Sequence, residues 1–213
     1  MPEFATLLEG YRRFRSQTYP AHKARFERLT HEGQHPKLMV IACSDSRVDP
    51  AQIFDVDPGE IFVVRNVAAL VPPFETTPGL HGVSAALEFA VQFLEVKQIV
   101  VMGHGRCGGC QVALSQSLRG AKPGQGGFIA NWIDLLSHAR SEVVAEFGSA
   151  GREAERAMEH AAVKVSIANL RTFPCVVERE RQGLLKLRGA VFAISDGVLH
   201  VLDDEGNQFA PVV

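Results

Sequence analysis

The sequence predicts an α/β fold, with a mainly parallel β-sheet of four to five strands flanked by helices and an N-terminal helical arm ahead of it. Three observations carry that expectation. Apolar runs of strand length recur at Leu38-Met39-Val40-Ile41-Ala42, Ile61-Phe62-Val63-Val64 and Gln98-Ile99-Val100-Val101-Met102. Stretches with helical character lie between them, the alternation expected of a sheet built from right-handed crossovers. Two of the runs end in clusters of Cys, His, Asp, Arg and Gly, which have the composition of a loop and not of a continued strand.

Taken in order, the first 35 residues read as two helices separated near Tyr19-Pro20, with Phe4, Leu7, Leu8, Tyr11 and Phe14 at helical spacing on one face. That face requires cover, either from its own domain or from a partner subunit. A strand at 38–42 leads to a short helix from Asp49 to Phe54, a strand at 61–64, a helix from His81 to Leu94 and a strand at 98–102. Gly103 to Gly109 forms the tight link into the next helix. Residues 128–148 and 151–172 read as two further helices. Leu184-Leu185-Lys186-Leu187 and Ala190-Val191-Phe192-Ala193-Ile194 suggest strand, and Ser195-Asp196-Gly197 turns the chain into Val198–Leu202. Gly120 to Gly127, with Pro123, is a surface loop. No repeat or low-complexity tract is present, so residues 1–213 are read as one domain.

Composition narrows the class. A chain of 213 residues that is 46% hydrophobic can form one substantial core. Four cysteines are too few for a disulfide scaffold. The start Met1-Pro2-Glu3-Phe4 shows no basic stretch followed by an apolar one, and the longest apolar runs are far short of a membrane span. A cytoplasmic location with reduced thiols is therefore expected. Net charge −2 and a pI near 6.4 offer nucleic acid no electrostatic footprint. The expected partner is a small molecule, with no nucleic acid and no membrane.

The chemistry-bearing residues are Cys43-Ser44-Asp45-Ser46-Arg47 and His104-Gly105-Arg106-Cys107-Gly108-Gly109. A lone buried cysteine is usually a small hydrophobe. Here, however, Cys43, His104 and Cys107 all stand where strands end, the place where open α/β sheets gather their ligands. Two thiolates and an imidazole are the donor set of a catalytic zinc site, which keeps three protein ligands and leaves the fourth position free. Gly103-His104-Gly105 follows a strand as a nucleotide loop would, but it lacks the third spaced glycine and the Gly-Lys-Ser/Thr ending. Its glycines are expected to let the backbone turn closely past a metal. Cys107-Gly108-Gly109-Cys110 has the form of a thiol redox pair. That reading leaves His104 and Cys43 unexplained, and Cys110 is expected to pack within the helix. Cys175 is expected in the core.

These two motifs resemble the signature of the β-class carbonic anhydrases. Gly59-Glu60-Ile61-Phe62-Val63-Val64-Arg65-Asn66-Val67-Ala68 and the segment from His81-Gly82 through Phe89-Ala90 are similar to that family as well, and the likeness spans residues 30–200. The resemblance implies one zinc ion per chain, held by Cys43, His104 and Cys107. The implied activity is reversible hydration of carbon dioxide to bicarbonate and a proton by zinc-bound hydroxide. Asp45 would orient that nucleophile, paired with Arg47, and could occupy the fourth zinc position if the pair broke. Gln34, Phe62, Val67, Phe89 and the Gly108 amide are implied for the substrate pocket. The resemblance further implies a homodimer or dimer of dimers in which the N-terminal arms embrace the neighbour, with Gln34 and Phe62 reaching the other chain's zinc.

One departure from the family pattern concerns subtype. Some bacterial members bind a regulatory bicarbonate with a Trp, an Arg and a Tyr, where this chain has Val40, Arg65 and Phe192. Losing both ring donors predicts the plant-like, constitutively open subtype. No histidine among His22, His31, His35, His81, His138, His160 and His200 is assignable as proton shuttle. Two alternatives share the residues: a hydrolase of carbon disulfide or carbonyl sulfide on the same fold, and a non-catalytic zinc protein closed by Asp45.

Overall fold

The computed structural model describes residues 3–205 and 208–212. Its centre is a six-stranded sheet in the order β2-β1-β3-β4-β5-β6. The strands are β1 (Leu38–Cys43), β2 (Ile61–Asn66), β3 (Gln98–His104), β4 (Lys186–Ala193), β5 (Val198–Leu202) and β6 (Phe209–Pro211). The first four run parallel, and β5 and β6 add antiparallel strands at one edge. The Val, Ile and Met residues that fill β1 and β3 suit strands covered on both faces.

Strand order positions the site. From β1 the chain moves to β2 on one side, whereas from β3 it moves to β4 on the other. A crevice therefore opens beyond the carboxyl ends of β1 and β3, where the connections diverge. The register Ala42↔Met102 brings Cys43 and His104 to that crevice from neighbouring strands.

One face of the sheet packs Met39, Ile41, Ile99 and Val101 against Leu87 and Val91 from the 82–93 helix and Val163, Ile167 and Leu170 from the long helix Arg152–Leu170. The long helix also turns Ala154, Met158 and Ala162 toward a second cluster containing Cys43, Cys107 and Cys110. Its apolar residues recur every three or four positions, so one helix serves both clusters. Gly189 makes this possible in the middle of β4, because a Cβ there would lie 2.9 Å from Val163 Cγ1 and 3.0 Å from Ile167 Cδ1.

Several sequence expectations change. The sheet has six strands, because the three-residue β6 carries too short a pattern to read. The runs 184–187 and 190–194 belong to one strand that passes through Arg188-Gly189. Helix Pro174–Arg181 was not expected; Phe173-Pro174 starts it, since proline suits the first helical turn. The 128–148 region is divided by a 3₁₀ turn at Asp134–Leu136, and the helix at Gly82–Glu88 passes into a π turn at Phe89–Phe93. Asp49 caps the short helix Pro50–Ile53 by accepting from the Ala51 and Gln52 amides at 2.9 and 3.3 Å. Cys110 is buried, and Cys175 packs at the core edge.

At the N-terminus the expected break is a π turn, Phe14–Thr18, joining Phe4–Arg13 to Tyr19–Glu32. Pro20 lies in the first turn of the second helix and lacks an N–H, so helical geometry continues through the wider turn. Neither helix holds a buried residue, and Phe4, Leu7 and Tyr11 are exposed. The second helix is tied down by Arg25, which donates to the Pro58 carbonyl at 2.7 Å and pairs with Asp57 and Glu60. A fully buried Leu170 or Met158 contributes about 1.5–3 kcal/mol, a gain the exposed apolar residues of the first helix do not receive from this chain. Among the described residues, no helix is long and apolar enough to cross a membrane.

His160 stacks on Phe209 with ring centroids 4.3 Å apart. Burial, together with the positive charges of Arg156, His200 and Lys164, pushes its pKa down from 6.5 to about 4. The fold thus disfavours the protonated form. The contribution to stability is complete above pH 6.5 and is lost as pH falls toward 4. Thermal unfolding between pH 7 and 4 should show a falling midpoint that His160→Phe makes shallower. An unchanged slope would refute this assignment.

Candidate metal centre

Cys43 ends β1, His104 ends β3, and Cys107 lies immediately before the helix Gly108–Ser115. All three are buried, and their ligand atoms lie within 4.8 Å of one another. The His104 Nδ1–H donates to the Gly105 carbonyl at 2.9 Å. This fixes the tautomer that turns the Nε2 lone pair toward the sulfurs. Nε2 is buried and has no hydrogen-bond partner. An orphaned imidazole nitrogen is costly in a protein interior, whereas a zinc ion would satisfy it and both sulfurs together. The donor set therefore fits zinc.

In their protonated state the thiols are held far from ionisation. The Cys107 hydrogen bond and burial raise Cys43 to about 12, and the Cys110 thiol with burial raises Cys107 to about 12.

Asp45 stands at the rim of the triad, with Oδ2 3.9 Å from His104 Nε2. Arg47 holds its carboxylate bidentately, Nε to Oδ1 at 2.9 Å and Nη2 to Oδ2 at 2.7 Å, and the Arg47 amide donates to Oδ1 at 3.0 Å. Those hydrogen bonds hold the Asp45 carboxyl well below the usual carboxylate range, which favours its ionised form. Arg47 Nη2 also donates to the Arg106 carbonyl at 3.2 Å.

The loop between the two β3-side ligands has its own support, which sequence reasoning did not find. Arg106 adopts a left-handed conformation, φ 57°, a strain of about 1–3 kcal/mol that persists only where its surroundings fix it. Glu159, buried on the long helix, accepts the Arg106 amide at 2.6 Å and is paired with Arg152 at 3.2 Å. Nothing near Glu159 in the sequence marks it, because its partner is 53 residues away. Gly103 and Gly105 are not in the left-handed region. Gly103 admits the long helix, since a Cβ there would lie 2.8 Å from Val163 Cγ2.

The residues named for a substrate pocket divide into two groups. Val67 follows Asn66, the register partner of Cys43, and its Cγ1 packs 2.8 Å from where a Gly109 Cβ would be. Gly108 is exposed beside Cys107. Gln34, Phe62 and Phe89 are not beside the triad of their own chain. Gln34 is exposed before β1, at the end opposite Cys43. Phe62 pairs with Met39, four residues or about 13 Å of strand from the level of Cys43. Phe89 stacks between Phe62 and Phe93, with centroids at 5.9 and 5.6 Å, and is exposed.

Known proteins bear on the same residues. Residues 38–199 match the family model described as carbonic anhydrase. The chain belongs to the β-carbonic anhydrase family. A carbonic anhydrase of Pseudomonas aeruginosa is 37% identical over 204 residues, covering 95% of this chain and 89% of the relative. The structure of the β-carbonic anhydrase CcaA superposes with a TM-score of 0.89 at 32% identity, covering 98% of this chain and 99% of that one. One of two tetrameric β-carbonic anhydrases from Sordaria macrospora gives a TM-score of 0.79 at 26% identity, with 99% and 98% coverage. Like its family, the chain is a zinc-dependent enzyme, and Cys43, His104 and Cys107 are grouped to hold that ion.

Because both thiols are protonated at neutral pH and zinc binds thiolates, loading must expel their protons. Calorimetry of zinc binding to the metal-free protein, in buffers of different ionisation enthalpy at pH 7, should report at least two protons released per ion. Any beyond two come from His104, whose burial is outweighed by its interaction with the Cys43 sulfur, which raises its pKa. Release of one or none would contradict the two-thiolate site.

Proposed function

We propose that Asp45 and Arg47 serve the reversible hydration of carbon dioxide to bicarbonate and a proton as a fixed orienting pair beside the Cys43-His104-Cys107 site. The observation that carries this reading is the doubly hydrogen-bonded Asp45 carboxylate 3.9 Å from the His104 nitrogen. Zinc held by Cys43, His104 and Cys107 would supply a Lewis acid that lowers the pKa of bound water. Asp45, its ionised form favoured by Arg47, would accept a hydrogen bond from the attacking water and so aim its remaining lone pair at the substrate carbon. Arg47 keeps both carboxylate oxygens engaged, which opposes a swing of Asp45 onto the metal. Val67 supplies an apolar wall and the Gly108 amide a donor for the oxygen on which charge develops.

The chain's other pocket residues fit a site shared between subunits. Gln34, Phe62 and Phe89 lie apart from their own triad, so in our reading a second copy brings them to it. The first helix, with its exposed Phe4, Leu7 and Tyr11, is suited to cover that copy. The assembly we propose is a homodimer or dimer of dimers, in line with the tetrameric relatives. A thiolate metal site needs reduced cysteines, which supports a cytoplasmic location. We also treat the whole chain as one domain with residues 1–35 as its arm.

The open subtype has support in the side chain of Arg65. Its Nε donates to the Cys43 carbonyl at 2.9 Å, Nη1 to Asp49 at 3.0 Å and Nη2 to the Asp45 carbonyl at 2.6 Å. Val40 and Phe192, on the same sheet face, offer no donor. An anion at that place would have to displace bonds that hold the Cys43–Asp49 segment. The closed-site alternative is disfavoured because Arg47 occupies both Asp45 oxygens.

Stopped-flow hydration between pH 7 and 9, on protein with one zinc per chain, should give a rate that rises with pH and shows no cooperative inhibition by added bicarbonate. Cooperative inhibition would reject the open subtype, and activity on carbon disulfide or carbonyl sulfide exceeding that on carbon dioxide would reassign the substrate. Asp45→Ala should lower kcat/KM by about 10²-fold or more with zinc retained, the size of a lost proton-handling group. Full activity in that variant would remove Asp45 from the mechanism.

A further inference from the structure

The segment after β2 is the most strained stretch of backbone near the triad. Ala68 and Ala69 are consecutive and both left-handed, at φ 64° and 55°. Non-glycine residues hold that conformation in succession only when their surroundings over-determine it. On the inner side they are over-determined. Asn66 Nδ2 donates to the Leu70 carbonyl at 2.9 Å and its Oδ1 accepts the Leu70 amide at 2.8 Å. The buried Ser166 hydroxyl donates to the Ala69 carbonyl at 3.2 Å and accepts from the Val71 amide at 3.2 Å, and Asn169 donates to the Val71 carbonyl at 2.8 Å.

These bonds fix residues 68–71 to β2 and the long helix, but they leave the Val67 peptide untouched. Its carbonyl is held from the other side, by the indole N–H of Trp132 at 2.8 Å. Trp132 is the chain's single tryptophan. It is partly buried against the cluster that contains Cys43, Cys107 and Cys110. Gly109 completes the contact, since a Cβ there would lie 2.8 Å from Val67 Cγ1 and 2.9 Å from Ala68 Cβ. Val67 is thus clamped between an indole and a glycine at the start of the helix that follows Cys107.

We propose that Trp132 is a positioning residue for substrate, its N–H holding the Val67 carbonyl so that the Val67 side chain stays packed on Gly109 as a fixed apolar wall beside the triad. The inference rests on the reading of Val67 as part of the carbon dioxide pocket. The Trp132 N–H bonds to the Val67 carbonyl and to no residue of the triad. Its loss should therefore weaken productive binding of carbon dioxide without altering zinc affinity or the separate step in which a proton leaves the enzyme.

The test is Trp132→Phe in the zinc-loaded enzyme, which keeps an aromatic ring and removes the donor. Stopped-flow hydration should show KM raised by about 3–10-fold, the worth of one hydrogen bond, with kcat within about twofold of the parent. Amide exchange of residues 67–71 should quicken while β1 and β3 keep their protection. An unchanged KM in an active enzyme would overturn the inference, as would parallel loss of kcat and zinc. If Trp132→Phe does not fold, Gly109→Ala, whose added Cβ would lie 2.8 Å from Val67 Cγ1 and so displaces the Val67 side chain from the other side of the clamp, must show the same KM shift at full zinc content for the clamp to stand. A parent enzyme inactive on carbon dioxide would instead refute the pocket reading.

Discussion

The structure depends on bringing three metal-ligand atoms together among buried side chains. Two thiols and an imidazole nitrogen converge within 4.8 Å, and the nitrogen has no protein partner. Such a cluster would be a liability in an ordinary core, where unpaired polar groups are disfavoured by roughly 1–3 kcal/mol each. It is tolerable because a cation can satisfy all three donors. The surrounding packing follows from that need: the crevice between β1 and β3 provides two ligands at fixed spacing, and the long helix at residues 152–170 closes the cluster from behind while it also covers the sheet.

Charge balance explains the polar rim. Two thiolates already offset a divalent ion, so the site gains little by adding a third anion to the metal. Asp45 is instead offset by Arg47, which bonds both of its carboxylate oxygens at the rim of the triad. Arg65 serves the same segment by other means. It fastens the carbonyls of Cys43 and Asp45 and the Asp49 cap with one planar guanidinium, a geometry lysine cannot reproduce.

What the sequence made legible were features carried by neighbouring residues. The strands at 38–43 and 98–104 read clearly because both are continuous apolar runs, and the Cys43, His104 and Cys107 spacing is local to their ends. Asp45 and Arg47 lie two residues apart, so their pairing follows from backbone geometry. Glu159, Trp132, Ser166 and Asn169 were not legible, since each acts on a loop 53 to 98 residues away. Helix Pro174–Arg181 was missed because its charged sequence shows little apolar periodicity, and β4 was divided because Gly189 interrupts its pattern to admit Val163 and Ile167. The separation of Gln34, Phe62 and Phe89 from the triad is a matter of register, which no single strand reveals.

The same long-range contacts bear on how Asp45 is held beside the triad. Arg47 is half exposed, and a surface guanidinium–carboxylate pair alone is too weakly held to restrain Asp45 against a nearby cation. The pair has a second anchor in the Arg106 carbonyl. Arg106 is in turn fixed in a strained conformation by the buried Glu159, whose own charge is compensated by Arg152. Moving Arg47 aside therefore gives up a bond to the loop that joins His104 to Cys107 as well as the bonds to Asp45. The Asp45–Arg47 pair is thus bonded to the loop that carries two of the three metal ligands, and the position of Asp45 depends on that loop as much as on the two charged residues.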